Sequence, residues 1–456
     1  MSHVDRMWLR MDDPTNLMMI TGVTFCDEPI ERSEVRKVLE DRLLAIPRFG
    51  LRVVADSRGS GHHWEDDENV DLDWHLQEVA LPHPGDDQVL REFVSHWMST
   101  PLDRDRPLWQ THLIQNYKQG SAVLWRLHHC IGDGIALMLV MLSLTDLGPD
   151  PESEETNPLR ALFSDNPPGP EEAKEYLQRV LPEAVKLLTL PGEAMGAISR
   201  WKRGGASVPA FGRLALRPPD PRTPFRGSLG VAKRAAWSEA IGMDEIATVR
   251  EGLGGTVNDV LTNAVAGGLR RYLESRGELQ TRLSIRVVVP VSLRPLEEMY
   301  SLGNQFGLVF LSLPVGIVDT KQRLAEIRKR MNKLKRSFEP VVAMQIMAAL
   351  GASPKKVQDL VAKIFGAKGT AVLTNVPGPR NRLYFAGRPV RDFMFWVPQA
   401  ARLGMGISIM SYSGEVRIGL ATDAGLVPDP EAVIAGMHQE FHTMHRLATE
   451  AVRRVS

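Results

Sequence analysis

"LWRLHHCIGDGIALMLVMLSL", residues 124–144, sets two adjacent histidines, an aspartate and two glycines between two apolar runs. Titratable groups in such surroundings are costly unless they are paired or used. "SAVLWRLHH" reads as a strand, as does "QTHLIQNY" before it, with "KQG" as the turn between them. After Asp133, Ile135, Leu139 and Leu142 recur at helical spacing, so a buried helix follows. The histidines therefore close a strand and Asp133 opens a helix, and Gly132 and Gly134 let the chain turn sharply around it.

A side chain at a strand-to-helix corner projects toward the crevice where α/β folds bind ligands. A histidine there suits general-base work, since its ordinary pKa lies close to operating pH. Asp133 orders the loop by pairing with a cation or with backbone amides. A purely structural reading stays open, in which the histidines are satisfied by carbonyls and Asp133. Cys130, next to His129 on the strand, points to the opposite face. The same His-x-x-x-Asp spacing occurs at His63–Asp67 and His83–Asp87, but without an apolar strand before it or an apolar helix after it. Those two read as solvated loops.

Outward from this motif, strand-like and helix-like segments alternate, which predicts an α/β fold. Residues 30–49 and 86–109 read as helical, the second ending in a proline-bearing turn. A chain of 456 residues is comfortable for two domains. The first lobe is placed at 1–150. A helical crossover and linker spans 151–220, with an amphipathic stretch at 171–202 and the proline-rich "LRPPDPRTPFRGSLG". The second lobe spans 221–456, with strands in "GVAKRAAWS", "LSIRVVVPVSLRP", "NQFGLVFLSLPV", "AVLTNVPGP" and "GISIMSYSGEVRIGLATD". "SPKKVQDLVAKIF" predicts a helix capped by Ser353.

Lysine plus arginine equals aspartate plus glutamate, 55 each, so no global field points to nucleic acid. Two cysteines, Cys26 and Cys130, build no disulfide framework, which favours a reducing, cytoplasmic setting. The N-terminus "MSHVDRMWLRMDDPTN" lacks a signal-peptide core. The longest apolar runs, 135–142 and 341–350, fall short of the ~20 residues a membrane span needs.

"HHCIGDG" resembles the signature of CoA-dependent acyltransferases, the superfamily of chloramphenicol acetyltransferase and peptide-synthetase condensation domains. "PLDRDRPLWQTHLI", "TVNDVLTNAVAGGLRRYL", "VPVSLRP", "GNQFG" and "NVPGP" follow the order seen in bacterial wax ester synthase/diacylglycerol acyltransferases. The resemblance implies two chloramphenicol-acetyltransferase-like α/β lobes with a tunnel between them and His129 at its middle. It implies transfer of a fatty acyl group from acyl-CoA to a long-chain alcohol or diacylglycerol, with His129 as base and no cofactor beyond the CoA substrate. His128 and Asp133 support it, and Arg294 of "VSLRP" is the partner implied for Asp133. Gly134 belongs to the same loop. Asn258 stands either in the second lobe's wall of the site or as a helix cap, and Trp109 either packs beneath the histidine strand or touches substrate. Where the family often has a Met-His-Val run after a proline, this chain reads "PTNLMMI", which bears on the acceptor-side pocket.

Two other functions stay in view: a superfamily transferase with a smaller alcohol or amine acceptor, and a non-catalytic lipid-binding protein. "EGLGGTVND" matches no phosphate-binding loop and reads as a turn. The basic helix with Arg323, Arg328, Lys329, Arg330, Lys333, Lys335 and Arg336 is a solvated face or a surface for CoA phosphates or anionic lipid. "VVAMQIMAAL" is core or an interfacial patch. His438, His442 and His445 share a helical face, but no carboxylate or cysteine set closes a metal site. Peripheral contact with a membrane or lipid inclusion is the localisation these features imply.

Overall fold

The strand Gly120–His128, which ends at the histidine pair, is buried at every position, as a central strand covered on both faces must be. The computed structural model describes residues 1–57, 61–150, 169–181, 216–294, 302–335 and 339–453. In chain order its strands are β1 (Met19–Cys26), β2 (Leu51–Ala55), β3 (His62–Asp66), β4 (Leu76–Ala80), β5 (Trp109–Tyr117), β6 (Gly120–His128), β7 (Lys233–Trp237) and β8 (Ile241–Gly242). They continue with β9 (Ile285–Ser292), β10 (Phe306–Leu313), β11 (Ala371–Pro377), β12 (Tyr384–Phe385), β13 (Arg388–Trp396), β14 (Met405–Tyr412) and β15 (Glu415–Asp423). The helices that matter below are α1 (His3–Met11), α2 (Asp87–Met98), α3 (Gly134–Ser143), α4 (Val257–Ser275), α5 (Thr320–Lys335), α6 (Glu339–Ala352), α7 (Lys355–Gly366) and α8 (Pro430–Arg453).

Two mixed sheets form, in the order β12-β13-β1-β6-β5-β4 and β10-β9-β11-β14-β15-β7, with β8 pairing β15. Each has its own core. Trp8, Phe25, Trp109, Leu124 and Trp396 belong to the first, and Phe225, Val265, Leu273, Ile407 and Phe441 to the second. The α/β, two-lobed expectation holds. The cut into lobes 1–150 and 221–456 does not partition the sheets, however. Strand β13 leaves the second half and pairs antiparallel with β1, from Thr21↔Trp396 to Cys26↔Val390. Its burial alternates, Val390, Asp392, Met394 and Trp396 facing in, as a half-covered strand requires.

In the second lobe, α4 and α8 approach so closely that a Cβ on Gly268 would stand 2.3 Å from Met437 Cγ. Of the expected stretch 171–202, residues Pro170–Val180 are helical, and 182–202 lie outside the described residues. Residues 30–49 are not one helix. An α-turn, Arg32–Val38, passes into a π-turn, Leu39–Leu43, and a 3-10 turn begins at Pro47, which cannot continue the ladder. Helix α7 starts behind Pro354, and Ser353 Oγ instead donates to Ala349 O at 2.8 Å. In "HHWEDDE", His62–Asp66 form strand β3 of a hairpin with β2 rather than a loop, and Asp67 follows the strand. Among the described residues no helix is long and apolar enough to cross a membrane.

Candidate active site

Asp133 is the N-cap of α3, as an aspartate before an apolar helix should be. Its Oδ1 accepts the Ala136 amide at 3.0 Å. Its Oδ2 accepts Arg294 Nη2 at 2.8 Å and the Gln305 amide at 3.0 Å. Arg294, fully buried, also donates to Gly303 O at 2.8 Å, and the Asp133 amide donates to that same carbonyl. Gly303 has φ +113°, backbone that a side chain would strain, and a bridge joins it to Gly132. The loop after β6 and the segment before β10 are thus locked together around one buried ion pair, 161 residues apart in sequence. Gly132 and Gly134 do not take left-handed backbone. Gly134 is exposed, with open space where a Cβ would be.

His129 stands in the middle of this lock. Its amide donates to Met18 O at 2.8 Å and its carbonyl accepts Asn304 Nδ2 at 2.8 Å. Its ring stacks on Trp8, centroids 4.0 Å apart and planes 10° from parallel, with Phe306 flanking both rings, 5.8 Å from His129 and 5.9 Å from Trp8. Only 7% of the residue remains exposed. Burial pushes its pKa below the ordinary 6.5. The nearby backbone carbonyl of His129 itself, then Asp133, Asn304 and Asp5, offset part of that shift. The imidazole is therefore neutral near pH 7 and able to accept a proton.

His128 has a different task. Its Nδ1 accepts the Cys130 amide at 3.1 Å, which leaves the proton on Nε2, 3.9 Å from Asp12 Oδ1. Burial first of all lowers its pKa to about 4, so it is a neutral strut for the turn. Burial raises the Cys130 thiol well above its usual value, which removes it as a nucleophile.

Two other residues singled out by sequence have partners other than His129. Trp109 is fully buried; it donates from Nε1 to Phe49 O at 2.8 Å and stacks on His75, centroids 4.1 Å apart. That is packing beneath the strand. Asn258 is not a cap: Thr256 caps α4 with Asp259, and Asn258 Oδ1 accepts Asn375 Nδ2 from β11. His63 is half exposed and bonded to Asp56 at 2.7 Å. Arg323 departs from its basic run: it is fully buried against Glu440, Asn263 and Ile317 O. His438 and His442 have ring centroids 6.0 Å apart, and among the described residues no set of three or more His, Cys, Asp or Glu is placed to hold a metal ion.

Sequence reasoning missed α1. It carries Trp8 over His129 and Asp5 into the lock, where Asp5 Oδ1 accepts Asn304 N and Nδ2 at 3.2 and 2.8 Å. The signal was present: Ser2 capping Asp5, then Val4, Met7, Trp8 and Met11 at helical spacing. The Met-rich helix α6 packs on α1, close enough that a Cβ on Gly351 would meet His3 O at 1.7 Å. A crevice beside the strand end, lined by Asn16, Met19, Thr21, Trp396 and Gln399 among others, has a volume of about 20 Å³, room for a water molecule.

Known proteins share the family profile and the overall fold of this chain. The profile of the wax ester synthase/diacylglycerol acyltransferase catalytic domain matches residues 1–261, and that of the WS/DGAT C-terminal domain matches residues 302–445. "Probable diacyglycerol O-acyltransferase tgs2" of Mycobacterium tuberculosis (strain ATCC 25618 / H37Rv) is 27% identical over 97% of this chain and 98% of its own. The wax ester synthase/diacylglycerol acyltransferase from Marinobacter aquaeolei VT8 shares the fold, with a TM-score of 0.69, 22% identity and 98% of each chain covered. The starter condensation domain of rhizomide synthetase, in complex with C8-CoA, does so at 0.58 and 14%, over 98% of this chain and 94% of that one. The chain belongs to the wax ester synthase/diacylglycerol acyltransferase family.

Proposed function

We propose that this acyltransferase moves a fatty acyl group from acyl-CoA to a long-chain alcohol or to diacylglycerol, with His129 as general base. The observation that carries the reading is the place of His129, buried at the end of β6, four residues before the Asp133 that pairs with Arg294 of the other lobe. A thioester is already activated, so no enzyme nucleophile is needed, and the buried Cys130 offers none. An aliphatic hydroxyl has a pKa near that of water, about 15.7, and attacks slowly unaided. His129 takes the hydroxyl proton as the oxygen bonds to the thioester carbonyl carbon. The carbon–sulfur bond then breaks, and the imidazolium returns the proton to the leaving thiolate, whose conjugate thiol has a pKa of about 8.5. One residue serves both halves, and no cofactor enters beyond acyl-CoA as substrate.

The complex of the rhizomide synthetase domain with C8-CoA supports acyl-CoA as the donor on this architecture. Open space at Gly134 supports an approach to the loop from its exposed side. In this reading a tunnel between the lobes leads the acyl chain to His129, and the protein works at the surface of a membrane or lipid inclusion, where its acceptor resides.

Product analysis tests the reading: purified protein, a long-chain acyl-CoA, and a mixture of hexadecanol, diacylglycerol and short polar alcohols. Wax ester or triacylglycerol, released in step with free thiol, is expected. Thiol release with the short polar acceptors alone moves the assignment to a smaller-acceptor transferase, and none with any acceptor makes the protein a lipid binder.

A further inference from the structure

We propose that Trp8 is a positioning residue for catalysis, its indole face fixing the His129 ring and stabilising the imidazolium formed when that ring takes the acceptor's proton. The inference rests on His129 being the base.

Helix α1 delivers the contact. Trp8 is 4% exposed, lies parallel to the imidazole at 4.0 Å, and also packs against Phe306, 5.9 Å away. Among the described residues its Nε1 is buried without a hydrogen-bond partner, so the indole is held by its faces. The same helix reaches the back of His129 through Asp5, which grips Asn304, whose amide holds the His129 carbonyl. One helix thus constrains both the ring and the backbone of the base. A neutral imidazole gains packing from the indole. An imidazolium gains more, because the ring's negative face attracts a cation and water is excluded. The interaction is stronger after proton uptake than before, which is the condition for speeding a step.

The charged and titratable groups around the pair include Asp5 on α1, Asp12 after it with Arg104 paired to it, His128, Cys130 and Asp133 on the loop, Arg294 behind Asp133, and Arg48 near Asp5. A change at Trp8 that keeps the volume apolar leaves them in place.

Trp8→Phe and Trp8→Leu variants of the full chain separate face from bulk. Steady-state thiol release gives kcat and KM for acyl-CoA. Proton–carbon spectra of histidine-labelled protein, with His129→Ala to assign the signal, give the titration of the ring. Expected are a kcat lowered slightly by Phe and about tenfold by Leu, with KM little changed. His129 should titrate lowest in the Leu variant, since burial stays and the π face is lost. A Leu variant with parental kcat, or with His129 titrating as in the parent, overturns the proposal. Should the Leu variant fail to fold, the Phe variant decides alone: a smaller fall in both quantities supports the proposal, and none contradicts it. If Trp8→Leu is silent while His129→Ala is inactive, the Trp8 role fails and the base stands. An active His129→Ala removes both.

Discussion

Among the described residues, two arginine–carboxylate pairs have both side chains at most 8% exposed, and only one of them adjoins His129. Arg323 and Glu440 join α5 to α8, with Asn263 of α4 accepting Arg323 Nε at 3.0 Å and Arg271 of α4 3.3 Å from Glu440. All of these partners lie in the second lobe and none of the neighbours is a free base, so the pair knots three helices. Arg294 and Asp133 instead tie one lobe to the other beside His129. Removing charges from water costs several kcal/mol in either place. Burial of a charge pair is therefore no sign of a site by itself. What marks the second pair is the histidine beside it, His129 standing four residues before Asp133 on the same loop.

Breaking the pairs one at a time sharpens that contrast. Arg323→Met should cost about 3 kcal/mol of stability, since Glu440 stays buried with only the more exposed Arg271 beside it, while turnover per folded molecule stays at the parental level. Urea unfolding and thiol release on the same sample check both. A loss of turnover at parental stability would erase the distinction. Arg294→Met should lower kcat about 100-fold, because Asp133 no longer fixes the loop, with a stability loss of about 3 kcal/mol. A parental rate there would reduce the lock to structure.

The pH dependence separates the neighbouring histidines. A base whose pKa lies below the ordinary 6.5 keeps its activity at pH 6.5 and loses it only on further acidification, as the ring protonates. A kcat/KM profile with its acid limb above 6.5 would contradict that. Stability follows the same sign. His128 and His75 are held neutral by burial at about 4, so the unfolded chain binds more protons below pH 6.5 and stability falls from there down to about 4. Denaturant midpoints flat across this window would contradict it. The smallest effect belongs to His63→Ala. This half-exposed histidine of the decoy spacing should change stability by under about 0.5 kcal/mol and leave turnover unaltered.

Strand β6, the turn and helix α3 were legible because each is local. Apolar runs with strand and helix periods meet at two histidines, and no distant partner is needed to read them. The family resemblance added Arg294, whose contact spans 161 residues. β13 stayed hidden because pairing with β1 is a property of the folded chain, although its alternating residues were visible. Trp8 stayed hidden because α1 has little more than two turns, with charges between its apolar residues. Arg323 was masked by the basic run around it; its neighbours Leu324 and Ile327, both buried, mark the face that turns inward. Asn258 and Asn375 sit in two separately recognised motifs, and only the fold brings them together.

The most direct test of the base is His129→Ala, with thiol release from long-chain acyl-CoA followed in the presence of hexadecanol and circular dichroism as the check on folding. A fall of about 10²–10⁴-fold at parental secondary structure and thermal midpoint is the predicted result. A folded variant that keeps most of the parental rate would contradict it.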